Sequence, residues 1–164
     1  MEIAELKTLL DEPDFALATL LLSVLGEGSF LSLLRFLQLH APDPVTAEIA
    51  RLTAIDEARH VAFGLSHLCY SVEQQPELRP RLAAAIRARH DSLRESSGLN
   101  EEVFDALLLL AAGSWAPEDL ERGWDRVTAL KLEMDQGRQF RLRKLGFSEE
   151  EAAALSVLHT RNFM

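Results

Sequence analysis

The sequence contains few of the residues on which disulfide-stabilised or β-rich proteins depend. It has one cysteine, Cys69, which cannot form an internal disulfide, and only eight glycines and six prolines among 164 residues. Its abundant Leu, Ala, Glu and Arg residues favour long helices over β-structure. With 48% hydrophobic residues, the chain can bury the core of one ordinary domain. We therefore expect a single all-α domain over residues 1–164.

Composition also disfavours two kinds of partner. The formal net charge is −9, and a net anion does not attract nucleic acid or an acidic membrane surface. The most apolar stretch, residues 16–25, has about half the length of a membrane span, and the first residues lack a basic segment followed by an apolar run. We expect a cytoplasmic protein that binds no nucleic acid and no membrane. Small molecules, metals or other proteins are the expected partners.

Helix start and stop signals predict an N-terminal helix hairpin over residues 14–73. Asp14 can cap a first helix that continues to about His40, because no proline interrupts it and leucines recur on all of its sides. Asp43 is a good N-cap for a second long helix, and Pro44 suits its first turn. The first helix, apolar all round, is expected to be central.

Residues 76–164 are expected to form further helices that pack on this hairpin. The same signals predict them at about 76–94, 101–112, 117–146 and 148–158. Ser148 with Glu151 has the spacing of a capping box, and Gly146 is expected to end the helix before it. Basic residues at the end of that helix, among them Arg138 and Arg141, match the helix dipole.

The histidines and tryptophans outside the hairpin centre receive simple structural interpretations. His40, His90 and His159 lie near predicted helix ends or on polar faces, so we expect them in solvent. Trp115 and Trp124 flank a helix start and are expected to anchor the C-terminal helices by burial.

Glu27 is the first residue that indicates chemistry. It is the only ionisable residue between Leu17 and Leu34, and glycines flank it on both sides. Burying an unpaired carboxylate costs several kcal/mol, so Glu27 must be neutral, paired, bound to a metal or locally exposed. Gly26 and Gly28 each cost helix stability of roughly 1 kcal/mol. They indicate a close helix neighbour or a local distortion beside the acid.

The spacing along the hairpin places a second acid opposite Glu27. Glu27 lies 13 residues before His40, and Glu57 lies 13 residues after Pro44. With a rise of about 1.5 Å per residue, both acids lie roughly 20 Å from the connecting turn. His60 follows Glu57 by three residues and shares its helix face. Two carboxylates and an imidazole in a helix core suit iron, manganese or zinc.

One Glu together with Glu-x-x-His is half the ligand set of a di-iron carboxylate bundle. Residues 26–64 resemble the second helix pair of the ferritin-like superfamily, especially its oxygen-activating di-iron proteins. The string DEARH at 56–60 is similar to the Asp-Glu-x-Arg-His of bacterial multicomponent monooxygenases and of the ribonucleotide reductase small subunit. The resemblance covers residues 14–73 well and the remainder only as generic helices.

The resemblance implies a role for each residue of this string. Glu57 and His60 would bind metal together with Glu27, and the metal would be a pair of iron ions, with manganese as the alternative. Asp56 would orient a metal-bound imidazole from the other helix pair through a hydrogen bond, and Arg59 would lie beside it as an outer partner.

The chain nevertheless carries half of the expected ligands. Members of the family have two such helix pairs in one chain, whereas these 164 residues contain no second Glu-x-x-His. A second copy related by a two-fold axis would supply the missing ligands, and Asp56 would then reach His60 of that copy. The alternatives are that a different polypeptide supplies them, or that this chain is the C-terminal half of a longer protein.

The leading functional hypothesis is a non-haem di-metal oxidoreductase that activates dioxygen on a small organic substrate, within a ferritin-like bundle completed by dimerisation. Carboxylate ligands suit this chemistry because they shift between bridging and terminal binding and leave positions open for oxygen. The expected apolar wall consists of Leu20, Val24, Phe30, Leu31, Leu34 and Phe63. The alternatives are an iron-binding or ferroxidase protein, and a degenerate helical module that has no catalytic activity.

Overall fold

The computed structural model describes residues 11–93 and 101–160, and in these two ranges the secondary structure is helical, without a strand. The helices are α1 (Phe15–His40), α2 (Pro44–Gln74), α3 (Leu78–Leu93), α4 (Glu101–Ala112), α5 (Pro117–Lys144) and α6 (Glu149–Thr160). The predicted all-α class is confirmed, and the predicted helix limits differ from these by a few residues. Residue 94, the predicted end of the third helix, lies outside the described ranges.

The capping signals act as the sequence predicts. Asp14 and Asp43 each accept hydrogen bonds from two backbone N–H groups in the first turn of the helix that follows. The Ser148 hydroxyl accepts from the N–H of Glu151, whose carboxylate accepts from the N–H of Ser148. Gly146 has a φ of 85°, the left-handed conformation that ends helices. These contacts give the first turns of α1, α2 and α6, and the last turn of α5, local partners for their unpaired backbone groups.

Helix α1 contains a distortion immediately before Gly28. Residues Leu20–Glu27 form a π-helix within the otherwise α-helical segment. The Gly28 N–H donates to the carbonyl of Ser23, five residues back, whereas an α-helix would pair it with Val24. π-Helical turns are rare and are frequently found at functional sites. Of the two alternatives that Gly26 and Gly28 left open, a close helix neighbour or a local distortion, a distortion is present, and Glu27 is its last residue.

Helix α1 contributes to both hydrophobic clusters found among the described residues. The first joins it to α2, α3, α5 and α6 through Leu20, Val24, Leu25, Leu68, Leu78, Leu82, Ile86, Leu142, Leu145, Phe147, Ala152 and Leu155. The second joins it to α4 and α5 through Leu33, Phe36, Leu107, Ala111, Val127, Leu130 and Met134. The length and hydropathy of α1 also suit a membrane span, and half of its most apolar stretch is buried in the protein. Core helices share this pattern.

Helix α2, in contrast, is covered on one side only. Among its 31 residues, the buried ones are Ala50, Val61, Gly64 and Leu68. These recur at intervals that place them on one face of the helix, toward α1. The opposite face of α2 is therefore in solvent.

Several residues near the C-terminus contradict the sequence interpretation. His159 is 1% exposed, so it is not a solvent histidine, and burial lowers its pKa to about 4, with the charge of Arg138 as the next cause. Trp115 and Trp124 are 77% and 54% exposed, so they do not anchor the helices by burial. The burial of these three side chains depends on which distant segments face them, and the sequence pattern did not define those segments.

Gly64 brings α2 close to the π-helical segment of α1. A Cβ atom at this position would lie 2.5 Å from the Cβ of Ser23 and 3.2 Å from Cγ2 of Thr19. Because Cβ atoms do not approach this closely, Gly64→Ala is expected to force the helices apart and to lower the free energy of unfolding by about 1–3 kcal/mol. Chemical denaturation measures this loss.

The matched control for Gly64→Ala is Gly26→Ala. A Cβ at Gly26 would meet only the Leu21 carbonyl oxygen, at 3.4 Å, which is an ordinary contact. Alanine also has the higher helix propensity. We expect no loss of stability for Gly26→Ala, and equal losses for the two variants would contradict the close approach at Gly64.

Candidate metal centre

Three side chains from the hairpin converge where α1 and α2 face each other. Glu27 comes from α1, and Glu57 and His60 come from α2. One potential ligand atom of each lies within 4.8 Å of the other two. Nδ1 of His60 is 3.2 Å from Oε2 of Glu57 and 3.8 Å from Oε1 of Glu27. This donor set of two carboxylates and one imidazole suits iron, manganese or zinc.

An unpaired oxygen of Glu27 supplies a test of whether these residues fit a metal. The Glu27 side chain is 19% exposed, compared with 27% for Glu57 and 58% for His60. Its Oε2 atom is buried and accepts no hydrogen bond within the described residues. A buried carboxylate oxygen without a partner is costly, and a cation would supply that partner. The residues present therefore fit a metal ion.

The backbone explains why the three side chains meet. Residues Gly28–His40 and Pro44–Gln74 are regular α-helices, so Glu27 and Glu57 are carried the same distance from the turn between them. The close approach at Gly64, one turn beyond His60, narrows the gap between the helices. The sequence-predicted juxtaposition is thus present in the structure, and metal ligation by these residues stays a prediction.

Asp56 and Arg59 do not join this cluster. Arg59 Nη1 donates to Oδ1 of Asp56 at 2.7 Å, and both side chains are about two-thirds exposed or more, at 73% and 66% respectively. Within the described residues, no hydrogen bond or ion pair connects either of them to Glu27, Glu57 or His60. They lie on the open face of α2, where a group from outside this chain can reach them.

This open face carries a row of exposed apolar residues, which we call the exposed stripe. On α2 it consists of Val45, Ile49, Leu52, Phe63 and Tyr70, each at least half exposed. Successive members are four, three, eleven and seven residues apart. Residues at these spacings lie along one side of an α-helix. Asp56 falls within the stripe, and His60 lies at its edge. Phe15 of α1 extends it through an edge contact with His67, with ring centroids 5.0 Å apart.

The apolar wall expected around the site is only partly present within one chain. Leu20 and Val24 are buried, but they belong to the first hydrophobic cluster. Phe30 and Phe63 are 53% and 69% exposed, because they lie on the faces of α1 and α2 that no other described helix covers. In a single chain these two rings therefore do not shield the site from water.

The sequence interpretation missed two buried arginines of α5 that contact α1, through the Ser29 hydroxyl and the Val24 carbonyl. Arg138 and Arg141 of α5 were interpreted as charges matching the helix dipole, yet both are buried, at 0% and 7% exposure. A signal was present in the sequence: both continue the three- and four-residue spacing of the buried Val127, Leu130 and Met134. Burial lowers the pKa of each arginine to about 10, so both are charged at neutral pH.

Comparison with known proteins does not identify a family. No family model, curated protein or solved structure shows significant similarity to this chain. The ferritin-like resemblance therefore depends on the helix hairpin and on the residues of the candidate metal centre alone.

Proposed function

We propose that the chain is a non-haem di-metal oxidoreductase of the ferritin-like type, whose site is completed by a second copy of the chain. The observation that carries this proposal is the convergence of Glu27, Glu57 and His60 around a buried carboxylate oxygen that has no partner. Unpaired buried oxygens are rare in folded proteins unless a ligand or a function accounts for them.

The number of ligands supports a second copy. Di-metal bundles of this kind use four glutamates and two histidines, and this cluster offers two glutamates and one histidine. A two-fold axis beside the cluster doubles the set, since each chain presents the same surface to the other. The open position of Asp56 also fits this arrangement, because its carboxylate would be available to the second copy's His60.

The exposed stripe supplies a surface of suitable size for that contact. Two helices of 26 and 31 residues side by side present a face of roughly 40 Å by 20 Å, about 800 Å². Each partner of a standard stable interface buries about this area. Pairing across the stripe would also cover Phe30 and Phe63, which would then form the wall that keeps water from the site.

The protein side chains have separate tasks in the proposed reaction. Glu27 and Glu57 bring negative charge that balances a metal pair, and His60 contributes a neutral nitrogen donor whose orientation depends on the partner of its other ring nitrogen. An iron pair, when bound, supplies the electrons that reduce dioxygen and the oxidising power directed at an organic substrate. Manganese is the alternative metal.

Metal analysis of the full chain tests the proposal. Protein produced in medium with iron and manganese is expected to contain about two ions per dimer, as in other di-metal bundles, with anomalous scattering at the metal edge placing them between Glu27 and His60. Oxygen consumption that requires an organic co-substrate supports the oxidoreductase. Rapid iron oxidation without a co-substrate would instead indicate a ferroxidase. A metal content below about one ion per ten chains would contradict the oxidoreductase and favour the alternative of a helical module without catalytic activity.

A further inference from the structure

Arg141 of α5 makes an unusual contact with the π-helical segment that ends at Glu27. Its Nε donates a hydrogen bond of 2.9 Å to the carbonyl oxygen of Val24. This carbonyl is the one that loses its α-helical donor, because the Gly28 N–H is directed to Ser23 instead. A side chain from another helix therefore replaces a hydrogen bond that the π-helical register removes.

Gly28 is the residue that makes this contact sterically feasible. A Cβ atom at this position would lie 2.5 Å from both Cζ and Nε of Arg141. Since Gly28 has ordinary helical backbone angles, with φ −60° and ψ −33°, glycine is not required there for conformational reasons. The absence of a side chain instead allows the guanidinium to reach the helix backbone beside Glu27.

The burial of Arg141 is not explained by charge pairing. The side chain is 7% exposed, and no ion pair within the described residues includes it. Its Nη2 atom is buried and has no hydrogen-bond partner. Buried charge without a counter-charge opposes folding, so stability alone does not account for an arginine at this position. The hydrogen bond to Val24 is its specific contact with the neighbouring helix.

We infer that Arg141 is a positioning residue for Glu27: by holding the Val24 carbonyl, it maintains the π-helical segment that directs the Glu27 carboxylate toward Glu57 and His60. Glu27 and Gly28 themselves have α-helical angles, so the segment acts on the relation between the two parts of α1 on either side of it. Thr19, immediately before the segment, packs on Gly64 of α2. If the segment returned to α-helical geometry while this contact was kept, Glu27 would turn by about one residue, roughly 100°, about the helix axis. Glu27 would then leave the position in which its ligand atom meets the other two. The inference rests on the proposed function of this site.

Two substitutions separate the hydrogen bond from packing and charge. In Arg141→Gln the side-chain amide nitrogen occupies the place of Nε along the chain, so a donor to Val24 is retained without the charge. In Arg141→Met a methyl group occupies that place, and the donor is lost while the volume up to this atom is kept. Cobalt(II) is the probe, because its visible spectrum reports the number and type of ligands.

We expect Arg141→Met to bind cobalt at least about tenfold more weakly than the unmodified protein and with an altered visible spectrum, as for other residues that orient metal ligands. Arg141→Gln is expected to remain within about threefold of the unmodified protein and to keep its spectrum, because the donor is restored. A purely structural role in packing or charge would affect both variants alike. Equal cobalt binding by the Met variant and the unmodified protein would overturn the inference.

A second variant breaks the contact between Arg141 and Val24 without replacing Arg141, so the test does not depend on correct folding of Arg141→Met. Gly28→Ala displaces the guanidinium by its new Cβ and is expected to weaken cobalt binding as Arg141→Met does. The double variant should bind no more weakly than either single variant, since both remove one contact. Additive losses would overturn the inference. Leu130→Ala, in the second hydrophobic cluster, is the control for general loss of stability.

Structures of the metal-free variants distinguish failure of this inference from failure of the proposed function. In Arg141→Met the Gly28 N–H is expected to pair with Val24 in α-helical register, whereas Arg141→Gln should keep the bond to Ser23. This readout needs no metal. If the unmodified protein binds no cobalt, the proposed function fails, and the register of these two structures still decides the role of Arg141. A π-helix unchanged in Arg141→Met would overturn it.

Discussion

Glu57→Gln is expected to lower metal affinity by more than about 100-fold, beyond the 10- to 100-fold typical of residues that only orient ligands. Glutamine keeps the size of the side chain but removes the negative charge that balances a metal cation. Because the proposed site contains Glu57 from both copies, one substitution alters two of its six ligands. Cobalt or iron titration of the purified variant measures the effect, and circular dichroism verifies that the helices are retained.

Glu73→Gln is the matched control for this prediction. Glu73 lies on the same helix and is exposed, and its replacement by glutamine removes the same charge as Glu57→Gln does. We expect its metal affinity to be unchanged within about twofold, because surface charges at this distance are largely screened. If Glu57→Gln and Glu73→Gln bound metal equally well, Glu57 would not be a ligand, and the candidate metal centre would lose its functional interpretation.

The second large effect is expected for Phe63→Glu at the exposed stripe. Phe63 is 69% exposed in the single chain and would be buried near the two-fold axis in the proposed dimer. Burying a carboxylate without a partner costs several kcal/mol, and here the cost falls on both copies. The dimer dissociation constant is expected to rise by more than about 100-fold, as after the loss of an interface hot spot. Analytical ultracentrifugation measures it.

The metal affinity of Phe63→Glu should also fall, because in the proposed site each chain holds only half of the ligands and the dissociated chains no longer combine them. Leu132→Glu is the control: Leu132 is 57% exposed on α5, outside the exposed stripe. We expect this variant to dimerise and bind metal normally. A Phe63→Glu monomer that still bound two metal ions would contradict completion of the site by a second copy, and would favour ligands elsewhere in the chain.

The positions of Glu27 and Glu57 could be derived from sequence for a definite physical reason. Both were counted from the connecting turn, and residues Gly28–His40 and Pro44–Gln74 are regular α-helices with a constant rise. The π-helical segment lies on the other side of Glu27 from the turn, at Leu20–Glu27. Its irregular geometry therefore does not enter the residue count from the turn, which gives the level of Glu27 along the hairpin but not its direction relative to the part of α1 before the segment.

The burial of the two arginines of α5 could not be derived from the sequence. Arginine near a helix C-terminus usually lies in solvent and complements the dipole, and Arg138 and Arg141 were interpreted in that way. Their burial depends on what faces them: the Ser29 and Ser156 hydroxyls for Arg138, and the Val24 carbonyl for Arg141. These partners are more than 15 positions away along the chain, so no local pattern contains them.

Local physical chemistry in the sequence thus determined the helical class, the helix termini with their Asp14, Asp43 and Ser148 caps, and the level of the two acids along the hairpin. Each depends on residues within one or two helical turns. Tertiary structure alone decided the π-helical register before Glu27, the approach of Arg141 through Gly28, and which face of α2 stays open. These features arise from side chains of distant segments competing for the same backbone groups and the same space.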